Sequence, residues 1–127
     1  MLYERDATGS VNEVCEKLTR AAAENDFGVL GVLDLKQKMA EKGVEFGPEC
    51  RIVEVCNPRQ AKFVLEALPS VSTVLPCRIA VYEHAGKVVI SAIKPTALMS
   101  LFGSAEFEPV AQEIEEAIIR IMDAACA

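Results

Sequence analysis

The spacing of apolar residues predicts two long amphipathic helices, one near each end of the chain. The first covers residues 11–25, where a capping box formed by Ser10 and Glu13 marks the helix start. The second lies near the C-terminal end and carries glutamates outside its apolar face. The first helix is expected to bury one stripe, made of Val11, Val14, Cys15, Leu18, Ala21 and Ala22. The stripe of the second comprises Val110, Ile114, Ile118, Ile121, Met122 and Ala125.

Short runs of β-branched and other apolar residues between these helices predict strands. The runs cover residues 2–5, 27–33, 51–56, 78–82 and 88–92. The last two are predicted to form a hairpin with a five-residue loop containing Gly86. Three shorter helices are predicted over residues 35–42, 59–68 and 96–102. Asp34 caps the first of these and Gly43 ends it, while Pro58 stands at the start of the second.

The resulting order, β-α-β-α-β-α-β-β-α-α, predicts a single α+β domain over residues 1–127. One hairpin late in the chain, preceded by helical connections, favours a two-layer structure with helices packed on a mixed sheet. A doubly wound parallel fold is the alternative, but the hairpin and the long terminal helix argue against it. At 127 residues and 51% hydrophobic composition, the chain can fill a core without disulfides or a structural metal.

Charge and hydropathy exclude several classes of partner. The formal net charge is −6, and the basic residues are scattered among acids, so no basic face is predicted for nucleic acid. No apolar run approaches the ~20 residues that span a bilayer, and the first residues lack a signal-peptide core. A cytoplasmic location is therefore expected. The chain has five cysteines, an odd number without regular spacing, which are expected as thiols in a reducing compartment.

Cys56 and Cys77 are the most interesting side chains, because each adjoins a proline-containing turn at a predicted strand end. Cys56 also precedes the helix that begins near Pro58, where the helix dipole can lower a thiol pKa. Three interpretations remain open: two packed thiols, a pair that forms a disulfide or binds a soft metal, and a ligand pocket that the cysteines only line. Asn57 lies between Cys56 and Pro58 and is expected to cap the helix.

Several segments resemble the domain of unknown function 302 family. The resemblance is carried by Cys56-Asn57-Pro58 and Leu75-Pro76-Cys77, within segments 28–30, 51–58, 75–83 and 89–95. It extends over essentially the whole chain and implies a small α+β protein, often found as a dimer, with no agreed activity.

No catalytic motif, metal-ligand spacing or cofactor-binding loop is found. There is no Cys-x-x-Cys, and the only histidine, His84, falls on the predicted hairpin loop. We therefore predict no cofactor and no metal; enzymatic activity is left open, although the absence of these motifs argues against it. The leading hypothesis is a homodimeric small-ligand-binding or structural module with a tentative ligand site at Cys56, Asn57 and Cys77. Apolar Leu101, Phe102 and Ile119 are candidates for the dimer contact. The alternative is a thiol-based redox or soft-metal-handling protein that uses Cys56 and Cys77.

Overall fold

A computed structural model describes all residues, 1–127, and contains five strands and five α-helices. The strands are β1 (Leu2–Ala7), β2 (Gly28–Asp34), β3 (Cys50–Cys56), β4 (Cys77–His84) and β5 (Lys87–Ile93). The helices are α1 (Val11–Glu24), α2 (Leu35–Glu41), α3 (Pro58–Ala67), α4 (Pro95–Met99) and α5 (Glu108–Cys126). Short 3-10 helices cover Pro69–Val74, Ser100–Phe102 and Ala105–Phe107. No helix combines the length and the apolar character needed to cross a membrane.

The five strands form one sheet in the order β1-β5-β4-β3-β2, and every neighbouring pair is antiparallel. The α+β class and the packing of helices on a sheet are confirmed, but the predicted mixture of parallel and antiparallel strands is wrong. A parallel connection needs a crossover that returns the chain to the other end of the sheet. Helix α2 is about 10 Å long, whereas β3 spans about 23 Å, so α2 only reverses the chain at one end.

The hairpin between β4 and β5 is tighter than predicted. The ladder continues to the pair His84 and Lys87, which leaves a two-residue turn of Ala85 and Gly86 in place of the predicted five-residue loop. Both turn residues have positive φ angles, 51° and 77°, as hairpin turns that match the twist of the strands require. His84 is consequently the last residue of β4 and not a loop residue.

Helices α1 and α5 pack side by side on one face of the sheet and enclose the main core. The capping box of Ser10 and Glu13 is formed, and every residue of the predicted α1 stripe is buried. Strand residues Val53, Val55, Ile79, Val81 and Ile90 supply the other half of this core. Because side chains alternate along a strand, Ile52, Ala80 and Ser91 point to the opposite face.

A second, smaller core lies where α3, α4 and the start of α5 meet. It contains Val64, Val71, Met99, Phe107 and Ala111. The segment after α3 is the 3-10 helix Pro69–Val74, and it places Val71 in this core. This small cluster stands beside the start of β4 and the end of β5. A groove lies at the corner between it and the open face of the sheet. Its lining is the most hydrophobic among three grooves of similar volume, about 390, 350 and 360 Å³.

Candidate functional site

The three residues predicted as a site lie together around one small cleft. Val55 pairs with Cys77 across β3 and β4, and the next residue, Cys56, ends β3. Cys56, Asn57 and Cys77 all line the cleft. The Asn57 carboxamide oxygen accepts hydrogen bonds from the backbone N–H groups of Arg59 and Gln60 at 3.1 and 3.2 Å. Asn57 is therefore the N-cap of α3, as predicted.

The pKa values of the Cys56 and Cys77 thiols are raised, whereas a reactive cysteine needs a lowered pKa. Burial, with a smaller contribution from the neighbouring Cys56, raises the pKa of Cys77 from its ordinary value of 9.0 to about 11. Burial also raises the pKa of Cys56. The lowering that the α3 dipole was expected to produce is thus outweighed by loss of solvent, so both side chains are neutral thiols at neutral pH.

The cleft itself is too small for a metabolite. Its volume is about 10 Å³, which is close to the space needed for a single water molecule. The side-chain oxygen Oε1 of Gln60 is buried and has no hydrogen-bond partner in the protein. Since Gln60 also lines the cleft, one water molecule there would satisfy this oxygen. No group of three or more histidine, cysteine or acidic side chains is arranged to hold a metal ion.

A much larger groove lies next to this cleft and was missed at the sequence level. Its volume is about 390 Å³, and ten of its fourteen lining residues are hydrophobic. Ile52 and Ala80 of the sheet's open face, Val74 of the 3-10 helix and Leu98 of α4 contribute to its walls. Cys77 is the one predicted site residue that also lines the groove. The Cys77 side chain therefore lies between the small cleft and the larger groove.

A polar cluster borders the groove on the open face. The Ser91 hydroxyl lies 2.8 Å from the Tyr82 hydroxyl and donates a hydrogen bond of 2.8 Å to the Glu4 carboxylate. The Tyr82 hydroxyl also lies 3.1 Å from the same oxygen of Glu4. Ser91 is only 7% exposed and is the single polar residue among the buried ones. Its hydroxyl lacks a histidine base, so the cluster positions side chains and does not form a nucleophilic site.

Arg78 is the only charged residue that lines the groove. Its Nε atom lies 3.7 Å from Oε2 of Glu54, which is beyond hydrogen-bonding distance. Its side chain is 71% exposed, so the guanidinium remains accessible from the groove and from solvent. Nothing in the local sequence pattern links Arg78 to Leu98 or Val74, which are distant from it or lie outside its strand.

Comparison with known proteins places the whole chain in one family. The family model "Domain of unknown function DUF302" matches residues 3–125. The crystal structure of the uncharacterized conserved protein DUF302 from Bacillus stearothermophilus superposes with a TM-score of 0.92 and 32% sequence identity. That match covers 99% of this chain and 98% of the Bacillus chain. No match was found among curated proteins. The resemblance inferred from the cysteine and proline motifs is confirmed, and the chain belongs to the DUF302 family.

Proposed function

We propose that this domain binds a small, largely apolar molecule in the groove between the open face of the sheet, the 3-10 helix Pro69–Val74 and helix α4. The observation that carries the proposal is the groove's volume of about 390 Å³ together with its apolar lining. Ligand sites are typically concave, of 300 Å³ or more, and mainly apolar with a few polar groups. In this groove Thr73, Arg78 and Ser91 supply the polar groups.

The proposed ligand lies in the groove and not in the adjacent cleft at the predicted cysteine site. A cleft of about 10 Å³ between Cys56, Asn57 and Cys77 leaves no room for an organic molecule. In the groove, Cys77 acts as a small wall residue. A thiol-based redox or soft-metal function receives less support, because burial raises the pKa of both thiols and so reduces the nucleophilic thiolate. All five cysteines are free, which suits the cytoplasmic location that we also propose.

A groove-filling variant tests the ligand proposal. Ala80 lies on the groove wall within β4, so Ala80→Phe would fill the space with a residue that strands accommodate well. Val89→Phe is the matched control, since Val89 lies on the same open face in β5 but does not line the groove. Binding is measured by the fluorescence of N-phenyl-1-naphthylamine, a neutral apolar dye. We expect wild type and Val89→Phe to bind the dye and Ala80→Phe to lose binding. Equal binding by all three proteins, or none by wild type, would remove the proposal.

We also propose that the protein acts as a homodimer. Among the side chains predicted to contact a partner, Leu101 is 76% exposed, whereas Phe102 packs against the smaller core and Ile119 is half-buried. Leu2 and Ile93, which pair across β1 and β5, add an exposed apolar pair at the edge of the groove that they also line. Light scattering at micromolar concentration should give twice the monomer mass of 13.8 kDa. A strict monomer would contradict this part of the proposal without affecting the ligand site.

A further inference from the structure

The charge distribution around the groove distinguishes its two ends. Arg78 is the only charged lining residue, and its guanidinium presents several N–H donors that no protein acceptor occupies. Near Ser91, by contrast, the closest charged group is the Glu4 carboxylate, which accepts the Ser91 hydroxyl hydrogen bond. Ala80 pairs with Ser91, and Arg78 lies two residues away along β4, a distance of about 7 Å. A negative group is therefore attracted at the Arg78 end and repelled at the Ser91 end.

Apart from Thr73, the rest of the groove lining offers apolar contact to a ligand. Val74 and Leu75 from the segment after α3, Leu98 of α4 and the buried Ile118 of α5 all line the groove. A chain of methylene groups placed here would gain roughly 0.8 kcal/mol for each one removed from water. The volume of about 390 Å³ lies at the small end of the range for ligand sites, which limits the chain to a short one.

We infer that the ligand of this groove is a small amphipathic carboxylate, such as a short-chain or medium-chain fatty acid or another hydrophobic carboxylic acid. Its carboxylate pairs with the Arg78 guanidinium, whose planar donors match the two oxygens of a carboxylate. Its apolar part lies between the 3-10 helix Pro69–Val74 and α4. The inference rests on the proposed function, because it requires the groove to be a ligand site.

Glu54 competes with the carboxylate of the ligand for Arg78. Its Oε2 atom lies 3.7 Å from Arg78 Nε, so it shares the positive charge without forming a hydrogen bond. Removing the Glu54 charge would release Arg78 for the ligand and remove a repulsive neighbour. Removing the Arg78 charge would leave Glu54 near the ligand with no counterion. The two substitutions should therefore move carboxylate affinity in opposite directions.

The test compares octanoate with 1-octanol, which has the same chain length and no charge. Affinities are obtained from ¹H–¹⁵N chemical-shift titrations, with both probes kept below their solubility limits. For Arg78→Gln we expect octanoate binding to weaken roughly threefold to fivefold, the size of a partly exposed ion pair. Glu54→Gln should strengthen it, and neither change should alter 1-octanol binding. Arg59→Gln is the matched control, because Arg59 is an exposed arginine on α3 outside the groove.

The outcomes separate this inference from the function on which it rests. If 1-octanol and octanoate bind wild type equally well, the groove remains a ligand site and the carboxylate assignment is overturned. The same conclusion follows if Arg78→Gln and Arg59→Gln weaken octanoate equally, since net charge alone would then explain the effect. If neither probe shifts the resonances of groove residues such as Ala80 and Leu98, the ligand function itself fails.

Discussion

Raising the pH should destabilise the folded protein through Cys77. Its pKa is about 11 in the folded state, where burial disfavours the thiolate, against an ordinary value of 9.0. The neutral thiol therefore contributes fully below pH 9, and this contribution is lost as the pH rises from 9 through 11. With about 1.4 kcal/mol for each pKa unit, the loss is about 2 kcal/mol by pH 10.5 and approaches about 2.7 kcal/mol above pH 11.

Urea denaturation of wild type and Cys77→Ala, under reducing conditions between pH 8 and pH 10.5, measures this effect. Other groups also titrate in this range, so the informative quantity is the difference in unfolding free energy between the two proteins. We expect that difference to fall by about 2 kcal/mol across the range. Val64→Ala is the matched control, since Val64 lines the same cleft and has no ionisable group. Its difference from wild type should stay constant.

The same pKa predicts low reactivity at neutral pH. A rise from 9.0 to about 11 lowers the thiolate population about a hundredfold. Peptide mapping after iodoacetamide treatment should therefore show Cys77 alkylated far more slowly in the native protein than in urea. In the urea experiment, a difference in unfolding free energy between wild type and Cys77→Ala that does not change with pH would refute the burial argument. Rapid loss of two thiols on mild oxidation, mapped to Cys56 and Cys77, would restore the redox alternative.

Two further substitutions test the elements that position the site. Asn57→Ala removes the N-cap of α3 and should lower the free energy of unfolding in urea by about 1 kcal/mol. Asn57→Asp should retain most of the stability, because aspartate also caps helices. Equal losses for the two variants would contradict a capping role. Ile121→Ala leaves a cavity at a fully buried position of α5 and should lower the free energy of unfolding by about 2–5 kcal/mol. Ile119 is half-buried on the same helix, so Ile119→Ala should lower it clearly less. Similar losses for the two isoleucines would mean that α5 is oriented differently.

The elements of this fold were predictable wherever the signal is local. The capping box at Ser10 and the cap at Asn57 each involve side chains within a few residues of the backbone groups they satisfy, so the sequence specifies them directly. The apolar stripe of α1 is similarly explicit. Strand direction was not predictable, because a helix between two strands was interpreted as a crossover without comparing its length with that of the sheet.

The groove depends on information that no single segment carries. Strand β5 is apolar at Val88, Val89 and Ile90 in succession, so its sequence does not distinguish the buried face from the open one. Only the pairing register places Ser91 opposite Ala80 and both of them on the open face. The cysteine pair was predictable because each thiol adjoins a proline turn. The raised pKa values of the two thiols were not predictable, because the burial of the thiols depends on packing around the cleft. Val64 and Ile114, which line this cleft, come from two different helices.

The strand that leads the chain is secured by residues near its far end. The Tyr3 hydroxyl donates to Asp123, Arg5 pairs with Asp123 at 2.8 Å, and the backbone N–H of Thr8 donates to the Cys126 carbonyl. β5 is the only strand that pairs with β1. During synthesis on the ribosome, β1 therefore has no strand to pair with until β5 has emerged, and its contacts with α5 form later still. β1 is thus translated before β5 but can join the sheet only once β5, its one neighbour, is available.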